Sequence, residues 1–418
     1  MSSPQAIAAS IEAVFRIESA KLIATLARVV RDVGRAEELA QDALVAALEQ
    51  WPTTGVPQNP GAWLMATAKH RAIDSLRHHA MAARKHEEIG HDPDQSAVTP
   101  DVEEALDDDV GDDLLRLIFT ACHPVLSPEG RAALTLRLVG GLTTQEIARA
   151  YLCAEPTIAQ RIVRAKRTLQ EANVPFELPR GPERLSRLAS VLEVIYLIFN
   201  EGYSATTGED LIRPGLCEDA LRVGRILAEL APEESEVHGL VALMEIQASR
   251  TGARVSPSGE PVLLLDQNRA LWDRVLIGRG FAALRRALEV SATPGPYVVQ
   301  AMIAACHARA AAPEQTDWQQ IADLYGTLHS LLPTPVVELN RAVAVAMAQG
   351  PAEGLVIADA LEQSGALEGY HLLPSVRADF LFKLGRTQEA AAEFLRAASM
   401  ARNTKEQTLL RKRAESCS

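Results

Sequence analysis

The amino-acid sequence predicts an all-α protein. Alternation of β-branched and polar residues, the pattern of strands, is rare along the 418 residues. Ala, Leu, Glu and Arg instead recur at spacings of three and four residues, which is the periodicity of one helix face. Clusters of Pro and Gly interrupt these stretches and separate the expected helices.

Composition restricts the classes of protein. The chain is 47% hydrophobic, but no apolar run approaches the roughly 20 residues of a membrane span. Residues 1–10 lack the cationic and apolar segments of an export signal, so we expect a cytoplasmic protein with no membrane partner. The five cysteines are scattered without metal-ligand spacing, and we expect neither a metal nor another cofactor.

Breaks in the helical pattern divide the chain into segments. The N-terminal helices are interrupted at Asp32-Val33-Gly34 and between Pro52 and Gly61. Ten acidic residues and no Lys or Arg lie between Asp92 and Leu115, a run too charged to pack, and its first part predicts a mobile linker. We predict a first domain at 1–84, a linker at 85–113, a second domain at 114–175 and a third at 183–418.

The third segment contains a repeat. A spacing of four and then three residues occurs twice, at Gly354, Ala358 and Leu361 and again at Ala390, Phe394 and Ala397. Ala390 lies 36 positions after Gly354, close to the 34-residue period of tetratricopeptide (TPR) helix pairs. Two copies are too few for a free-standing array, so earlier helices must pack against them. The alternative is Ala-rich helix packing without a true repeat.

Residues 141–169 predict a helix-turn-helix. Thr143 and Glu146 have the spacing of a capping box, which starts a short helix. After a turn, a second helix begins near Pro156, a residue suited to a first helical turn. We expect one narrow apolar stripe of this helix to face the core, formed by Ile158, Ile162, Ala165 and Leu169.

The opposite side of the second helix is cationic, with no acidic residue from Thr157 to Leu169. Such a helix fits the major groove of DNA, because Arg can fork onto guanine and Gln onto adenine. The alternative is a solvated basic face on a packing helix. The DNA-binding candidates are Thr157, Gln160, Arg161, Arg164, Lys166 and Arg167.

The segment from Asp32 to Leu44, DVGRAEELAQDAL, resembles the region-two helix of extracytoplasmic-function sigma factors, a subgroup of the sigma-70 family. In that family this helix docks on the RNA polymerase clamp. Leu39, Ala43 and Leu44 can face inward. The residues that would then contact the polymerase core are Glu38, Gln41 and Asp42.

A second segment, Asn59 to Leu64 continuing through Ala68 to Arg77, resembles the family's minus-10 reading region. The resemblance assigns Asn59 to capture of an extruded base, and Lys69, Arg71 and Arg77 to single-strand phosphates. A cationic groove suits such a strand. A solvated helix face is the alternative for the three cations. By the same resemblance, 114–175 corresponds to region four, which reads the minus-35 element.

The rest of the chain resembles the TPR-like extension of one group of these factors, through five segments: Tyr196 to Tyr203, Leu271 to Asp273, Gly295 to Tyr297, Leu339 to Ala344 and Gly369 to Leu373. The resemblance implies a sigma factor that binds bacterial RNA polymerase core and promoter DNA, with an extension that modulates activity. A regulatory protein or peptide is a candidate partner of the extension. In one departure from the family, Ala154 stands where a helix-capping Ser is common.

Other functions are open to such a sequence. The main alternative is a ligand- or partner-responsive helix-turn-helix regulator that does not act through core polymerase, and another is a scaffold built on the TPR-like domain. The region-two segment argues against the first and the basic helix face against the second. We expect no enzyme, because the nucleotide-binding, hydrolase and zinc-protease motifs are missing.

Overall fold

A computed structural model describes residues 4–87, 110–151, 153–203, 212–256, 260–401 and 403–417. These residues form helices and connecting turns, with one isolated antiparallel bridge between Val255 and Pro261, so the predicted all-α fold is confirmed. The chain divides into two compact units, Met1–Ile195 and Tyr196–Ser418. In the described ranges, no helix has the length and apolarity needed to cross a membrane.

The N-terminal unit begins with seven described helices: α1 Pro4–Val30, α2 Val33–Thr54, α3 Pro60–Glu87, α4 Val110–Ala121, α5 Pro128–Leu138, α6 Thr144–Ala150 and α7 Glu155–Glu171. The predicted break at Asp32 is confirmed, because its carboxylate accepts a hydrogen bond of 2.8 Å from the Arg35 amide and caps α2. Helix α1 packs on α2, α3 and α4, and its Leu22 and Leu26 are fully buried. This packing holds α2 and α3 at fixed positions.

The acidic run is helical at its end. Residues 88–109 lie outside the described residues, but α4 begins at Val110 and includes Asp112 and Asp113 in its first turn. Asp113 is fully buried, 2.9 Å from Arg28 Nε and 2.6 Å from Arg116 Nη1. The last residues of the predicted linker 85–113 therefore pack, because two arginines compensate the buried carboxylate.

The next helix, α8 Gly181–Tyr203, crosses the boundary between the two units. Its first half belongs to the N-terminal unit, where Arg187 Nη2 donates to the Phe119 carbonyl at 2.9 Å and Ser190 Oγ donates to the Cys122 carbonyl at 2.7 Å. The division between the two compact units falls within α8, after Ile195. The division into four segments stays a prediction.

The described residues of the C-terminal unit contain ten further α-helices: α9 Pro214–Leu230, α10 Ser235–Ala248, α11 Arg274–Val290, α12 Pro296–Arg309, α13 Trp318–Leu331, α14 Pro335–Gln349, α15 Pro351–Ser364, α16 Leu372–Lys383, α17 Thr387–Met400 and α18 Thr404–Glu415. Consecutive helices pack in pairs, including α14 with α15 and α16 with α17. Ala358 and Leu361 of the first predicted copy share one core with Ala390 and Phe394 of the second.

Gly354 permits the close approach of α14 and α15. A Cβ atom at this position would lie 2.5 Å from Ala346 Cβ and 2.7 Å from the Ala342 carbonyl oxygen. Both distances are shorter than packed atoms allow, so a side chain here would force the two helices apart.

Candidate nucleic-acid interface

The predicted helix-turn-helix is present as α6 and α7. The Thr143 side chain accepts from the Glu146 amide at 3.1 Å, and the Glu146 carboxylate accepts from the Thr143 amide at 2.8 Å. This reciprocal capping box fixes the start of α6. Helix α7 follows after a short turn, and Pro156 lies in its first turn as predicted.

The packing of α7 fixes which side faces outward. Its buried residues are those of the predicted apolar stripe: Ile158, Ile162, Ala165 and Leu169. Helices α5 and α6 both pack against α7. Gln160, Arg164 and Arg167 are exposed, whereas Thr157 and Arg161 are half-buried. The structure therefore presents a cationic helix face supported by a packed opposite side.

Two residues of this face are not simply free cations. Val163 is 64% exposed among the cationic residues, an apolar position that the sequence analysis did not single out. Arg167 pairs with Glu171 at 3.0 Å, and both side chains are more than 60% exposed, at 73% and 64%. Such a surface pair is weak, so Arg167 can exchange its carboxylate for a phosphate at little cost.

The start of α7 lacks a side-chain cap. Ala154 is the N-cap residue and forms no side-chain hydrogen bond, as expected from its methyl group. A Ser at this position would accept from the second or third amide of the helix, but Pro156 has no N–H and the Thr157 amide already donates to the Ala154 carbonyl oxygen at 2.9 Å.

Lys166 has a different environment from the other candidates on α7. Its ammonium group forms an ion pair with Glu37 of α2, and its side chain is 25% exposed. Glu37 is 6% exposed and also accepts from Arg137 Nε of α5 at 2.6 Å and from Gln41 Nε2 at 2.8 Å. This Glu37 cluster, composed of Glu37, Gln41, Arg137 and Lys166, joins α2 to the helix-turn-helix.

Sequence reasoning did not identify Glu37. The residue stands beside Glu38 in an amphipathic helix, and the sequence of α2 alone gives no reason to bury one acid rather than its neighbour. Its burial is set by Arg137 and Lys166, which lie about a hundred residues or more along the chain.

The three candidates for polymerase binding lie together on α2. Glu38 is 63% exposed and pairs with Arg35 at 2.8 Å one turn earlier, and Asp42 is 54% exposed. Gln41 is half-buried because its amide reaches Glu37. Of the residues expected to face inward, Leu39 and Ala43 are buried and Leu44 is half-buried.

The candidates for the minus-10 strand are spread along α3. Asn59 is exposed and caps this helix, since its Oδ1 accepts from the Ala62 amide at 3.1 Å. Lys69 is half-buried, and Arg71 is 39% exposed and lies 3.7 Å from the Asp42 carboxylate. The side chain of Arg77 lies outside the described residues.

Comparison with known families gives three matches. The family described as Sigma-70 region 2 matches residues 15–81, and the family described as Sigma-70, region 4 matches residues 116–169. A third match, to a Family of unknown function (DUF6596), covers residues 187–288. The two sigma-70 matches contain the described candidates on α2, α3 and α7.

Comparison with curated proteins extends these matches. An uncharacterized protein of Rhizobium meliloti is 43% identical over 392 residues, covering 92% of this chain and 90% of the relative. The ECF RNA polymerase sigma factor SigL of Mycobacterium tuberculosis is 33% identical over 172 residues, which are 40% of this chain and 93% of SigL. The ECF RNA polymerase sigma factor SigK of Mycobacterium ulcerans is 29% identical over 149 residues, covering 35% of this chain and 75% of SigK.

Proposed function

Because this chain belongs to the extracytoplasmic-function sigma factors of the sigma-70 family, we propose that it docks on core RNA polymerase through α2 and reads promoter DNA through α3 and α7. A sigma factor binds core polymerase and promoter DNA and directs the initiation of transcription. The polymerase supplies the chemistry. On this proposal the chain works in the cytoplasm.

The observation that carries the proposal is the cationic face of α7. In the proposed complex this face enters the major groove at the minus-35 element. Arg164 and Gln160 are exposed and of the types that fork onto guanine and adenine edges. Val163 adds an apolar contact suited to a thymine methyl group, and Arg161, Arg167 and Thr157 contact the flanking phosphates.

Helix α2 would contact core polymerase, and helix α3 would contact the minus-10 strand. The exposed carboxylates of Glu38 and Asp42 suit a basic partner helix on polymerase. Lys69, Arg71 and Arg77 would hold phosphates of the melted minus-10 strand, with Asn59 at the extruded base. Because Arg71 lies 3.7 Å from Asp42, polymerase that engages Asp42 would leave Arg71 more available to DNA.

The Glu37 cluster must change when α7 binds DNA through Lys166. A Lys166 paired with a protein carboxylate is not available to a phosphate, so we infer that promoter binding releases Lys166 from Glu37. Gln41 lies in both the cluster and the proposed polymerase-binding surface. Polymerase docking on Gln41 would therefore weaken the contact that holds α7.

The C-terminal unit is proposed to modulate this activity, with a regulatory protein or peptide as its partner. The alternative function, a helix-turn-helix regulator that does not act through core polymerase, is not favoured, because a region-two match accompanies the region-four match.

Run-off transcription with purified bacterial core polymerase tests the proposal, on promoters upstream of the gene's own neighbours. Full-length protein should direct specific initiation. The Arg164→Ala variant should bind minus-35 duplex about tenfold or more weakly, because a base-edge arginine is worth about 1–3 kcal/mol. Arg411→Ala, which removes an exposed arginine from α18, is the matched control and should leave binding unchanged.

Binding to core polymerase is measured separately from DNA binding. Asp42→Lys should weaken retention of core polymerase and leave the affinity for isolated minus-35 duplex unchanged. Wild-type protein that neither binds core polymerase nor initiates would contradict the proposal and favour the DNA-binding regulator.

A further inference from the structure

A cavity of about 270 Å³ lies in the C-terminal unit, between the segment after α10 and helices α16 and α18. Three arginines line it, Arg250, Arg254 and Arg413, against one carboxylate, that of Glu406. Arg413 has its own counter-ion, since its guanidinium lies 2.5 Å from Asp379. Two arginines therefore contribute positive charge that this pair does not balance.

Arg254 is held rigidly at the wall of the cavity. Its guanidinium carbon lies 3.7 Å from the centre of the Tyr203 ring, and Nη1 donates to the Tyr203 carbonyl oxygen. Stacking and this hydrogen bond fix the plane of the guanidinium group. The group is preorganised, so little side-chain entropy would be lost when it binds a ligand.

Arg250 is less fully bonded. Its guanidinium carbon lies 5.5 Å from the Trp272 ring centre, and Nε reaches Gln267 Oε1 over a long 3.4 Å. Among the residues that the structure describes, no carboxylate forms an ion pair with Arg250 or Arg254. The guanidinium groups thus retain donors suited to an acceptor inside the cavity.

Further positive charge lies behind this wall. The guanidinium carbon of Arg269 lies 5.1 Å from the centre of the Trp272 ring, which Arg250 also contacts. Arg269 Nη1 donates to the His307 carbonyl oxygen at 2.8 Å. Burial and the nearby charge of Arg254 lower the pKa of Arg250. Burial, followed by the charges of Arg250 and Arg269, lowers the pKa of His307 to about 4. Among the described residues no carboxylate pairs with Arg250, and an anion in the cavity would offset the cost of burying this cation.

We propose that this cavity binds a small organic oxyanion, a carboxylate or phosphate group attached to an apolar body, with Arg250 and Arg254 holding the oxyanion. Guanidinium groups match both oxyanions through paired N–H donors. The apolar body would lie against Leu264, Leu409 and Leu410, which also line the cavity. The inference concerns a site in the C-terminal unit and does not depend on promoter recognition.

Calorimetric titration and thermal unfolding of the full-length protein test the proposal with three probes. Inorganic phosphate represents the tetrahedral oxyanion, hexanoate represents a carboxylate with an apolar tail, and hexanol has the same tail without charge. We expect hexanoate or phosphate to bind and raise the unfolding temperature. Which of the two anions binds shows whether the site prefers a phosphate or a carboxylate group. Hexanol should bind more weakly than hexanoate and raise the unfolding temperature less. Equal effects of hexanoate and hexanol, or no binding of either anion, would overturn the proposal.

Variants separate a ligand site from a structural arginine. Arg250→Gln should lower the affinity for the anion by about tenfold or more, because charge-assisted hydrogen bonds contribute that much. It should also leave the ligand-free unfolding temperature unchanged or higher, because one of two neighbouring cations is removed. Arg279→Gln, at an exposed position of α11 outside the cavity, should bind like the wild type. If Arg250→Gln binds the anion as the wild type does, the arginine is structural and the proposal is wrong.

Discussion

Replacement of Glu37 by Gln should destabilise the N-terminal unit. The Glu37 carboxylate is 6% exposed and balances two cations, Arg137 at 2.6 Å and Lys166. A Gln side chain keeps the size and part of the hydrogen bonding but removes the charge. Arg137 and Lys166, only 22% and 25% exposed, would then face each other without a counter-ion.

The burial of the partners sets the magnitude. Loss of one partner from a fully buried ion pair costs about 3–5 kcal/mol, and loss from an exposed pair costs at most about 1 kcal/mol. The cations of the Glu37 cluster retain about a quarter of their exposure, so we expect about 2 kcal/mol. In a unit the size of Met1–Ile195 this corresponds to about 4–8 °C in unfolding temperature.

Scanning calorimetry of the full chain measures this loss, and Glu38→Gln is the matched control. Glu38 is the next residue of α2, is 63% exposed and pairs with Arg35 one turn away, so its replacement should change stability by less than about 0.5 kcal/mol. Equal effects of the two variants would refute the reasoning. A double-mutant cycle with Lys166→Gln tests the specific pair, since independent effects would show that Lys166 contributes nothing through Glu37.

Four further substitutions test local features. Gly354→Ala should cost about 1–3 kcal/mol in thermal unfolding, because its Cβ would lie 2.7 Å from the Ala342 carbonyl oxygen; Gly278→Ala, with no atom within 4 Å, should instead stabilise α11 by up to about 1 kcal/mol. Ala154→Ser should change the free energy of unfolding by less than about 0.5 kcal/mol, because Pro156 has no N–H and the Thr157 amide already donates to the Ala154 carbonyl oxygen; a gain of about 1 kcal/mol would contradict this. Burial lowers the pKa of His307 from 6.5 to about 4. Between these pH values the unfolded chain therefore binds more protons at this histidine than the folded chain does. The contribution of neutral His307 to the free energy of unfolding should be fully present above pH 6.5, and about 3 kcal/mol of it should be lost as the pH decreases to 4. His307→Gln should flatten this pH dependence.

Features set by neighbouring residues could be predicted from the sequence. The capping box of Thr143 and Glu146 and the cap at Asp32 depend on residues within one turn, and both are present. The buried stripe of α7 follows from helical periodicity, because one face must pack when the other is charged. The exposed positions of Gln160 and Arg164 follow from the same geometry.

Features that depend on residues far apart in the chain could not be predicted from the sequence. A run of acidic residues predicts a solvent-exposed segment. Asp113 is nevertheless buried, because it forms an ion pair with Arg28, which is distant in the sequence. Pro and Gly near residue 180 predict a boundary, and α8 does begin at Gly181. The first half of α8 nevertheless packs in the N-terminal unit, because Arg187 and Ser190 bond to the backbone carbonyls of Phe119 and Cys122. No periodicity within α8 encodes those partners.

Lys166 illustrates why a cationic helix face is not a sufficient description of a DNA-binding surface. Sequence spacing groups it with Arg164 and Arg167. Its ammonium group, however, is paired with a buried carboxylate, whereas the side chains of the two arginines are exposed. An ion pair with Glu37 and a contact with a DNA phosphate are competing uses of one charge. If Lys166 contacts phosphate as proposed, the measured affinity for minus-35 duplex includes the free energy of separating it from Glu37. Glu37→Gln should then bind that duplex more tightly than the wild type even though it folds less stably. The two effects have opposite signs, and a general loss of structure would lower both stability and affinity.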